Sequence, residues 1–278
     1  MPIKLLRLGF TECSLLFIYW LNKYQNINNN ELISSKKTLI KWLYTTSGYY
    51  DNKIKSNYMD AKHENIDPNL YINYMETLLN FIKDSDNFKG CFHNYKINNE
   101  YINIFNSFIQ PKNNNRYDQK MIYDFIKERN ILIISPFSIL IKNQIESGNV
   151  KMIYNTFPDI GKVYTYTNEY TFFNKGPHNN IFETTKIIVD NIKNSGDNFD
   201  SVIISCGAYG CLIAKELYDY GKNVCIIGGD LQKFFGILNE RERTKNKIKI
   251  QHEEFWITKI PDKYKPKDYM KIENGCYW

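Results

Sequence analysis

The sequence predicts an α/β fold: a Rossmann-like, mostly parallel sheet with flanking helices and a helical N-terminal part. The first observation is that, after residue 116, short apolar runs rich in β-branched residues alternate with helical patterns. Such alternation is typical of parallel β-α units, whose strands are buried on both faces. The second observation is that residues 1–116 carry mainly apolar positions three and four apart, the spacing of a helix face.

Strand and helix patterns follow each other along the chain. The strand patterns are Ile3–Leu8, Ile131–Ser135, Lys162–Thr167, Ser201–Cys206 and Asn223–Gly229. The helical patterns cover residues 12–24, 32–44, 68–83, 137–146, 184–194 and 211–221. The polar, proline-containing stretch Gln110–Arg116 predicts a division into a mostly helical part, 1–116, and a Rossmann-like part, 117–278. We expect the two parts to form one compact unit.

Charge and composition limit the classes of partner. Lys and Arg exceed Asp and Glu by 36 to 30, a net charge of +6. This excess is typical of a lysine-rich solvated surface, or of a protein that attracts a phosphorylated ligand. The sequence has no dense basic stripe or nucleic-acid-reading motif, so we expect no nucleic-acid partner. The sequence leaves the oligomeric state open, a homodimer included.

Cysteine usage and apolar runs indicate a cytoplasmic location. The six cysteines include no Cys-x-x-Cys pair and no Cys/His cluster at zinc spacing, so we expect no disulfides. The apolar run Cys13–Leu21 is shorter than the roughly 20 residues that span a bilayer, and we interpret it as a buried helix. The Lys/Asn/Ile bias is typical of AT-rich genomes such as those of parasites and large DNA viruses, where the location would be the host cytoplasm.

Two glycine turns follow neighbouring strand patterns. Gly207-Ala208-Tyr209-Gly210 separates a strand from a helix, and Gly228-Gly229 ends the next strand. Glycines let the backbone approach a ligand, and a helix N-terminus attracts phosphate. The first turn is not Gly-x-Gly-x-x-Gly, which disfavours NAD. It could equally be a packing turn, and Tyr209 could be a core residue or could stack on a base or sugar.

Two further strand ends carry polar residues with open alternatives. Ser135, before Pro136, could donate to a phosphate or cap the next helix. Arg7 and Glu12 flank Gly9, an arrangement that could bind diphosphate and a metal or a sugar hydroxyl, although Glu12 could also be an ordinary first-turn acid. Asp84-Ser85-Asp86 matches the Asp-x-Asp pattern of metal-binding glycosyltransferases, but a solvated helix end is the simpler interpretation.

Several segments together resemble a known group of proteins. They are Arg7–Glu12, Ser47–Tyr50, Ser85–Phe92, Ile131–Phe137, Val202–Gly210, Ile227–Ile237 and Phe255–Trp278. They resemble a bacterial group of surface-polysaccharide proteins that end in a similar Glu-Gly-Gly-Cys-Tyr-Trp string. That group is in turn similar to nucleotide-sugar glycosyltransferases of the GT-D type.

The resemblance implies a nucleotide-diphosphate sugar as the donor substrate and Glu12 as the general base or a donor contact. GT-D enzymes carry an Arg-aromatic-Gly-Asp-Gly-Glu motif, which Arg7, Gly9 and Glu12 match. Phe10 replaces its Asp and Thr11 its second Gly, which puts dependence on a divalent metal (Mn²⁺ or Mg²⁺) in doubt. Arg241 or Arg243 would then neutralise the leaving diphosphate.

The sequence therefore predicts a glycosyltransferase that transfers a sugar to a surface glycan acceptor. The predicted donor-binding residues are Arg7, Gly9, Ser135, Pro136, Gly207, Ala208, Tyr209, Gly210, Gly228, Gly229, Gln232, Arg241 and Arg243. The alternative is a non-catalytic nucleotide- or glycan-binding scaffold of a glycan-assembly complex, and the missing Asp at position 10 motivates it. A third hypothesis is a nucleotide-dependent oxidoreductase, which is weakened because the Gly-x-Gly-x-x-Gly fingerprint of dinucleotide binding is missing.

Overall fold

A computed structural model describes residues 1–27, 30–52, 67–90, 99–115, 117–244 and 250–278. Outside the described residues lie Cys91 and Phe92 of the segment Ser85–Phe92, Arg116 at the predicted boundary, and two of the four histidines, His63 and His93.

Six parallel strands form one sheet in the order β2-β1-β6-β5-β3-β4. The strands are β1 (Lys4–Leu8), β2 (Asn87–Gly90), β3 (Ile131–Ile134), β4 (Val163–Tyr166), β5 (Ser201–Ile204) and β6 (Asn223–Ile226). Every residue of β3 and β5 is buried, as their continuous apolar sequences predict. The predicted α/β, Rossmann-like class is confirmed, and the sheet is parallel throughout.

Helices connect the strands. The α-helices of the described residues are α1 (Phe10–Tyr24), α2 (Asn30–Thr45), α3 (Pro68–Ile82), α4 (Asn99–Ile109), α5 (Gln119–Ile126), α6 (Ser138–Glu146), α7 (Asn149–Ile153), α8 (Ile181–Asn194), α9 (Tyr209–Asp219), α10 (Leu231–Phe234) and α11 (Glu240–Thr244). Side-chain caps begin some of them: Asp67 accepts from two backbone N–H groups of α3, and Asp118 accepts from one of α5. No helix in the described part of the chain is long and apolar enough to cross a membrane.

The chain divides into two compact units. The first unit comprises Met1–Arg116, Thr171–Asn191 and Gly207–Ile226, and the second comprises Tyr117–Tyr170, Ile192–Cys206 and Ile227–Trp278. In the first unit β1 pairs with β2 and β6, and in the second β3 pairs with β4 and β5. The predicted division into residues 1–116 and 117–278 stays a prediction.

The sequence analysis missed β2, an edge strand of the first unit. Its sequence, Asn-Phe-Lys-Gly, is not a continuous apolar run, and its last two residues are only half-buried at the edge of the sheet. Its buried Asn87 instead exchanges two hydrogen bonds with the backbone of Asn115. Polar bonds from its side chain therefore help to hold this strand in place.

Asp86 binds the first residue of β1, which gives the Asp-x-Asp pattern a structural role. Its carboxylate accepts from the backbone N–H of Lys4 at 2.7 Å and from Nζ of Lys112 at 2.7 Å. Although burial raises the pKa of Asp86, the hydrogen bonds from Lys112 and Lys4 bring it below its ordinary value. This carboxylate is thus occupied in tying β1 to the chain before β2.

Lys4 is a buried cation in the same place. Its Nζ donates to the carbonyl oxygen of Lys83 at 2.6 Å and lies 5.3 Å from the ring centres of both Phe81 and Tyr218. Burial lowers the pKa of Lys4, against the raising effect of nearby acidic groups. Its ammonium group is therefore more costly to keep charged in the folded protein than in the unfolded chain.

We expect Lys4 to make stability rise with pH. A lysine whose pKa falls on folding binds fewer protons in the folded state, so the free energy of unfolding increases from its folded pKa up to about 10.4, the unfolded value. The melting temperature of the wild type should therefore rise relative to that of Lys4→Met between neutral pH and pH of about 10. Lys41→Met, at an exposed position of α2, is the control for removing a lysine as such. A difference between the wild type and Lys4→Met that stays constant over this pH range would refute this account.

Candidate functional site

In the first unit, the carboxyl end of β1 holds a buried carboxylate. Glu12 is 7% exposed, in the first turn of α1. A Cβ on Gly9 would lie 2.6 Å from its Oε2, so the carboxylate folds back against Gly9, and a side chain there would displace it. Glu12 also contributes, after burial, to raising the pKa of the Cys211 thiol in α9. Arg7 is half-buried in β1.

The two interpretations of Glu12 are both compatible with this geometry. A Glu at the third helical position is where a capping box reaches back towards the helix start, and the helix dipole favours a negative charge there. A carboxylate at the carboxyl end of a parallel strand is also where ligands of this fold class bind. The catalytic role of Glu12 stays a prediction.

Phe10 fills a packing position beside this turn. Its ring centre lies 5.8 Å from that of Trp42 in α2. An aromatic contact therefore occupies the position at which the resemblance to GT-D enzymes would place an Asp. Within the described ranges, no group of three or more His, Cys, Asp or Glu residues is arranged to hold a metal ion.

The Gly207 turn, in the first unit, is closed by backbone. Gly207 has φ of +58°, and a Cβ there would lie 2.4 Å from the carbonyl oxygen of Ser47. The same carbonyl accepts from the N–H of Ala208 at 2.8 Å, and the N–H of Gly210 donates to the carbonyl of Gly207. These contacts favour the packing role that the sequence left open for this turn.

Tyr209 is a core residue of the same turn. It is 2% exposed, and its ring packs edge-on against Tyr50, with ring centres 6.5 Å apart. Tyr74 donates from its hydroxyl to the carbonyl of Ala208 at 3.1 Å. These contacts favour core packing over stacking on a base or sugar.

In the second unit, Ser135 begins the connection to α6. Its Oγ accepts from the backbone N–H of Phe137 at 3.1 Å, and its carbonyl accepts from Ser138. The side chain is buried, with half-buried Pro136 next to it. This bond forms a turn before α6 rather than a helix cap, because the N-cap of α6 is Phe137 and no side chain caps it. The phosphate contact of Ser135 stays a prediction.

The Gly228-Gly229 turn of the second unit lies under a guanidinium group. Gly228 has φ of +71°, and its carbonyl accepts from Oγ of Ser205 at 2.8 Å. A Cβ on Gly229 would lie 2.8 Å from Nη2 of Arg241 and 3.0 Å from the ring of Tyr277. The absence of a side chain at Gly229 therefore lets the guanidinium lie directly against the backbone.

Charge and a ring contact hold the guanidinium of Arg241. It lies 5.3 Å from the ring centre of Tyr277, 3.7 Å from Oδ1 of Asp230 and 3.8 Å from Oε1 of Glu242. Both carboxylate distances exceed those of hydrogen bonds. Among the described residues, its N–H groups therefore have no acceptor at hydrogen-bonding distance, although the group is only 23% exposed.

Buried amides fix the backbone around Arg241. Gln232 donates from Nε2 to the carbonyl of Tyr277 at 2.8 Å and accepts from Nδ2 of Asn239. Asn239 in turn accepts from the N–H of Glu242, and the N–H of Arg241 donates to the carbonyl of Cys276. Gln232 thus orients the segment that carries Arg241. Its predicted donor contact stays a prediction.

Arg243, the alternative cation, points elsewhere. It pairs with Glu240 at 3.1 Å, and both side chains are about two-fifths exposed. Of the two predicted arginines, the structure brings Arg241 to a glycine turn. Asp230, Asn239, Glu242 and Tyr277 around it were not predicted from the sequence; the distinctive Cys-Tyr-Trp ending was the one signal for Tyr277.

Comparisons of the chain with family models, curated proteins and solved structures find no match. The resemblance to surface-polysaccharide proteins and GT-D enzymes therefore stays a hypothesis.

Replacing Gly207 tests how tightly the first unit closes this turn. We expect Gly207→Ala to lower the free energy of unfolding by about 2–4 kcal/mol, from a positive φ and from a Cβ that would displace the carbonyl of Ser47. Gly221→Ala is the control, because Gly221 also has a positive φ but nothing within 4 Å of its Cβ position. Its loss should be about 1 kcal/mol in the same denaturant titration. Equal losses would show that the contact with Ser47 is not tight.

Proposed function

We propose that the chain is a glycosyltransferase that uses a nucleotide-diphosphate sugar, with Arg241 binding the diphosphate. The observation that carries the proposal is the guanidinium of Arg241, three-quarters buried over Gly229 and without a hydrogen-bond acceptor in the described chain. The parallel α/β fold supports it, because such folds bind ligands beyond the carboxyl ends of their strands. Gly228 and Gly229 come shortly after β6, which ends at Ile226.

The chemistry of glycosyl transfer needs a cation at this kind of turn. When the glycosidic bond to the nucleotide breaks, negative charge develops on the leaving diphosphate. Arginine presents planar, parallel N–H donors that match two phosphate oxygens. The ring of Tyr277 and the network of Gln232 and Asn239 hold the group in place before a ligand arrives, which reduces the ordering cost of binding.

The acidic neighbours of Arg241 limit how strongly its guanidinium can bind a diphosphate. Asp230 also pairs with Lys233 at 3.6 Å, so the two cations Arg241 and Lys233 lie beside the two carboxylates of Asp230 and Glu242. A bound diphosphate would draw the guanidinium away from carboxylates that it contacts only at 3.7 and 3.8 Å. We therefore expect moderate affinity that falls with salt.

Arg241 is the residue to test by binding. We expect Arg241→Gln to weaken binding of UDP, GDP, CDP or dTDP, whichever the wild type binds, by about 10–100-fold, the value of a charge-assisted hydrogen bond. Arg241→Lys should restore only part of it, because one ammonium cannot make the paired contact. Titration calorimetry in EDTA measures this directly.

The control for this comparison is Lys259→Gln, which removes an exposed cation from the second unit. It should bind like the wild type. Binding that is unaffected by Arg241→Gln, or the absence of binding to all four nucleoside diphosphates, would refute the assignment.

Glu12 is tested separately, by turnover. As a general base or donor contact, Glu12 should matter for the chemical step, so Glu12→Gln should lower release of nucleoside diphosphate from the sugar nucleotide by about 100-fold or more. Glu216→Gln, at a partly exposed position of α9, is the matched control and should leave release unchanged. Full activity of Glu12→Gln would show that Glu12 is only the first-turn acid of α1.

A non-catalytic scaffold is the second candidate function. The contact of Phe10 with Trp42 favours it, because that contact replaces a carboxylate that GT-D enzymes use. Nucleotide-sugar binding that depends on Arg241, with no donor hydrolysis or transfer, would identify the chain as a binding protein.

A further inference from the structure

One face of α2, in the first unit, is exposed to solvent. Leu39 and Leu43 of this helix are buried, and α2 packs against α1. The side chains that stay exposed form what we call the α2 face: Ile33, Ser34, Lys37, Thr38, Lys41 and Trp42. They recur three and four residues apart, so they lie along one continuous strip of the helix surface. None of them takes part in the diphosphate site proposed above, which lies in the second unit.

The α2 face carries positive charge that the described chain does not balance. Lys37 and Lys41 have no carboxylate at ion-pairing distance among the described residues. Half-buried Lys36, beside the face, has its Nζ 5.4 Å from the ring centre of Tyr71. The sequence of α2 holds these three lysines and one acid, Glu31. Lysines of α5 and α8, by contrast, pair with an acid four residues along the same helix.

Trp42 adds an exposed aromatic ring to the same face. It is 40% exposed, whereas the other three tryptophans of the chain are buried, namely Trp20, Trp256 and Trp278. Its ring centre lies 5.8 Å from that of Phe10, so the protein covers part of the indole and leaves the rest in water. An indole has an apolar body and a polar N–H group, a combination that favours the boundary between water and lipid. Unbalanced charge and an exposed indole thus occur side by side, at Lys41 and Trp42.

We propose that the α2 face binds the surface of a membrane that contains anionic lipids. Lys37 and Lys41 lie one helical turn apart, so each ammonium group can meet the phosphate of a separate lipid. The indole of Trp42 enters the boundary between headgroups and acyl chains, where its ring leaves water and its N–H stays near polar groups. The long alkyl stems of the lysines let their charges remain among the headgroups while the indole lies deeper.

The composition of the face favours a lipid surface over other anionic partners. A nucleic acid needs a row of cations that follows its backbone, and the α2 face has two exposed lysines. A phosphorylated small molecule needs donors that converge in a concave site, whereas Lys37 and Lys41 project from a convex helix surface. A membrane makes neither demand, because its lipids move to meet each charge. It also takes up the exposed apolar surface of Ile33 and Trp42.

The fluorescence of Trp42 is the first readout, because the other tryptophans are buried. Vesicles of phosphatidylcholine and phosphatidylglycerol, mixed three to one, should shift the emission of the full chain to shorter wavelength, and brominated acyl chains should quench it. Trp42→Phe should still bind these vesicles, since phenylalanine is also apolar, but should lose both signals. Wild-type emission that the vesicles leave unchanged would overturn the proposal, and so would an equal change in Trp42→Phe.

The role of charge is measured by sedimentation with the same vesicles. Because each lysine at an anionic surface contributes about fivefold, Lys37→Gln combined with Lys41→Gln should weaken binding by about 20–30-fold, and added salt should weaken binding of the wild type. Lys120→Gln combined with Lys127→Gln is the matched control. It removes the same charge from exposed positions where each lysine already pairs with an acid, and it should bind like the wild type. All four side chains are exposed, so the melting temperatures should stay unchanged.

Uncharged vesicles and a DNA duplex separate a lipid surface from other partners. We expect vesicles of phosphatidylcholine alone to bind the wild type far more weakly than the mixed vesicles. Equal binding to both kinds of vesicle would show that Lys37 and Lys41 do not act on lipid charge. Binding to the duplex that depends on these lysines, without binding to vesicles, would identify a nucleic-acid surface instead. Either result would contradict the assignment of the α2 face.

Discussion

Parallel strand pairing is the constraint on which the rest of the structure depends. Parallel strands cannot be joined by tight hairpins, so each connection must cross a face of the sheet, usually as a helix. The strands are then covered on both faces, which is why β3 and β5 are buried at every position. Each connection begins at the carboxyl end of a strand, and glycine turns occur at these ends, before the next helix.

The two glycine turns differ in what lies against them. Gly207 accommodates the backbone of Ser47, so the chain itself fills the space beside it. Gly229 accommodates the guanidinium of Arg241, a side chain that can rearrange around a ligand. A turn closed by backbone is suited to holding the core together, whereas a turn covered by a charged side chain is suited to binding an anion.

The strands and helices of this fold could largely be predicted, because their signals are local. Continuous apolar runs marked β3, β5 and β6, and regular spacing marked α1 and α3. The edge strand β2 lacked such a run, since the amide of Asn87 rather than apolar burial helps to fix it. Turn positions were also predictable, because glycines mark them, as Gly207 and Gly229 do.

The partners at these turns could not be predicted, because they meet only in the folded chain. Nothing near Gly207 in the sequence points to Ser47, 160 positions earlier. Asp230, Glu242 and Tyr277 gather around Arg241 through buried amides whose neighbours are set by packing. Asp86, which matched a metal-binding pattern, instead bonds to the backbone of β1. A charged residue acquires its role from such contacts.

The central claim is that this protein binds nucleotide sugars, and a thermal-shift screen of the full chain tests it most directly. UDP-, GDP-, CMP- and dTDP-sugars would each be added with Mn²⁺ or with EDTA. A ligand that binds only the folded state raises the melting temperature by mass action, by the equivalent of about 2.7 kcal/mol at 100 times its dissociation constant. We predict a rise with one nucleoside-diphosphate family that persists in EDTA, because the proposed site uses Arg241 rather than a metal to bind the diphosphate. Unchanged melting with every sugar nucleotide, at millimolar concentration, would contradict the claim.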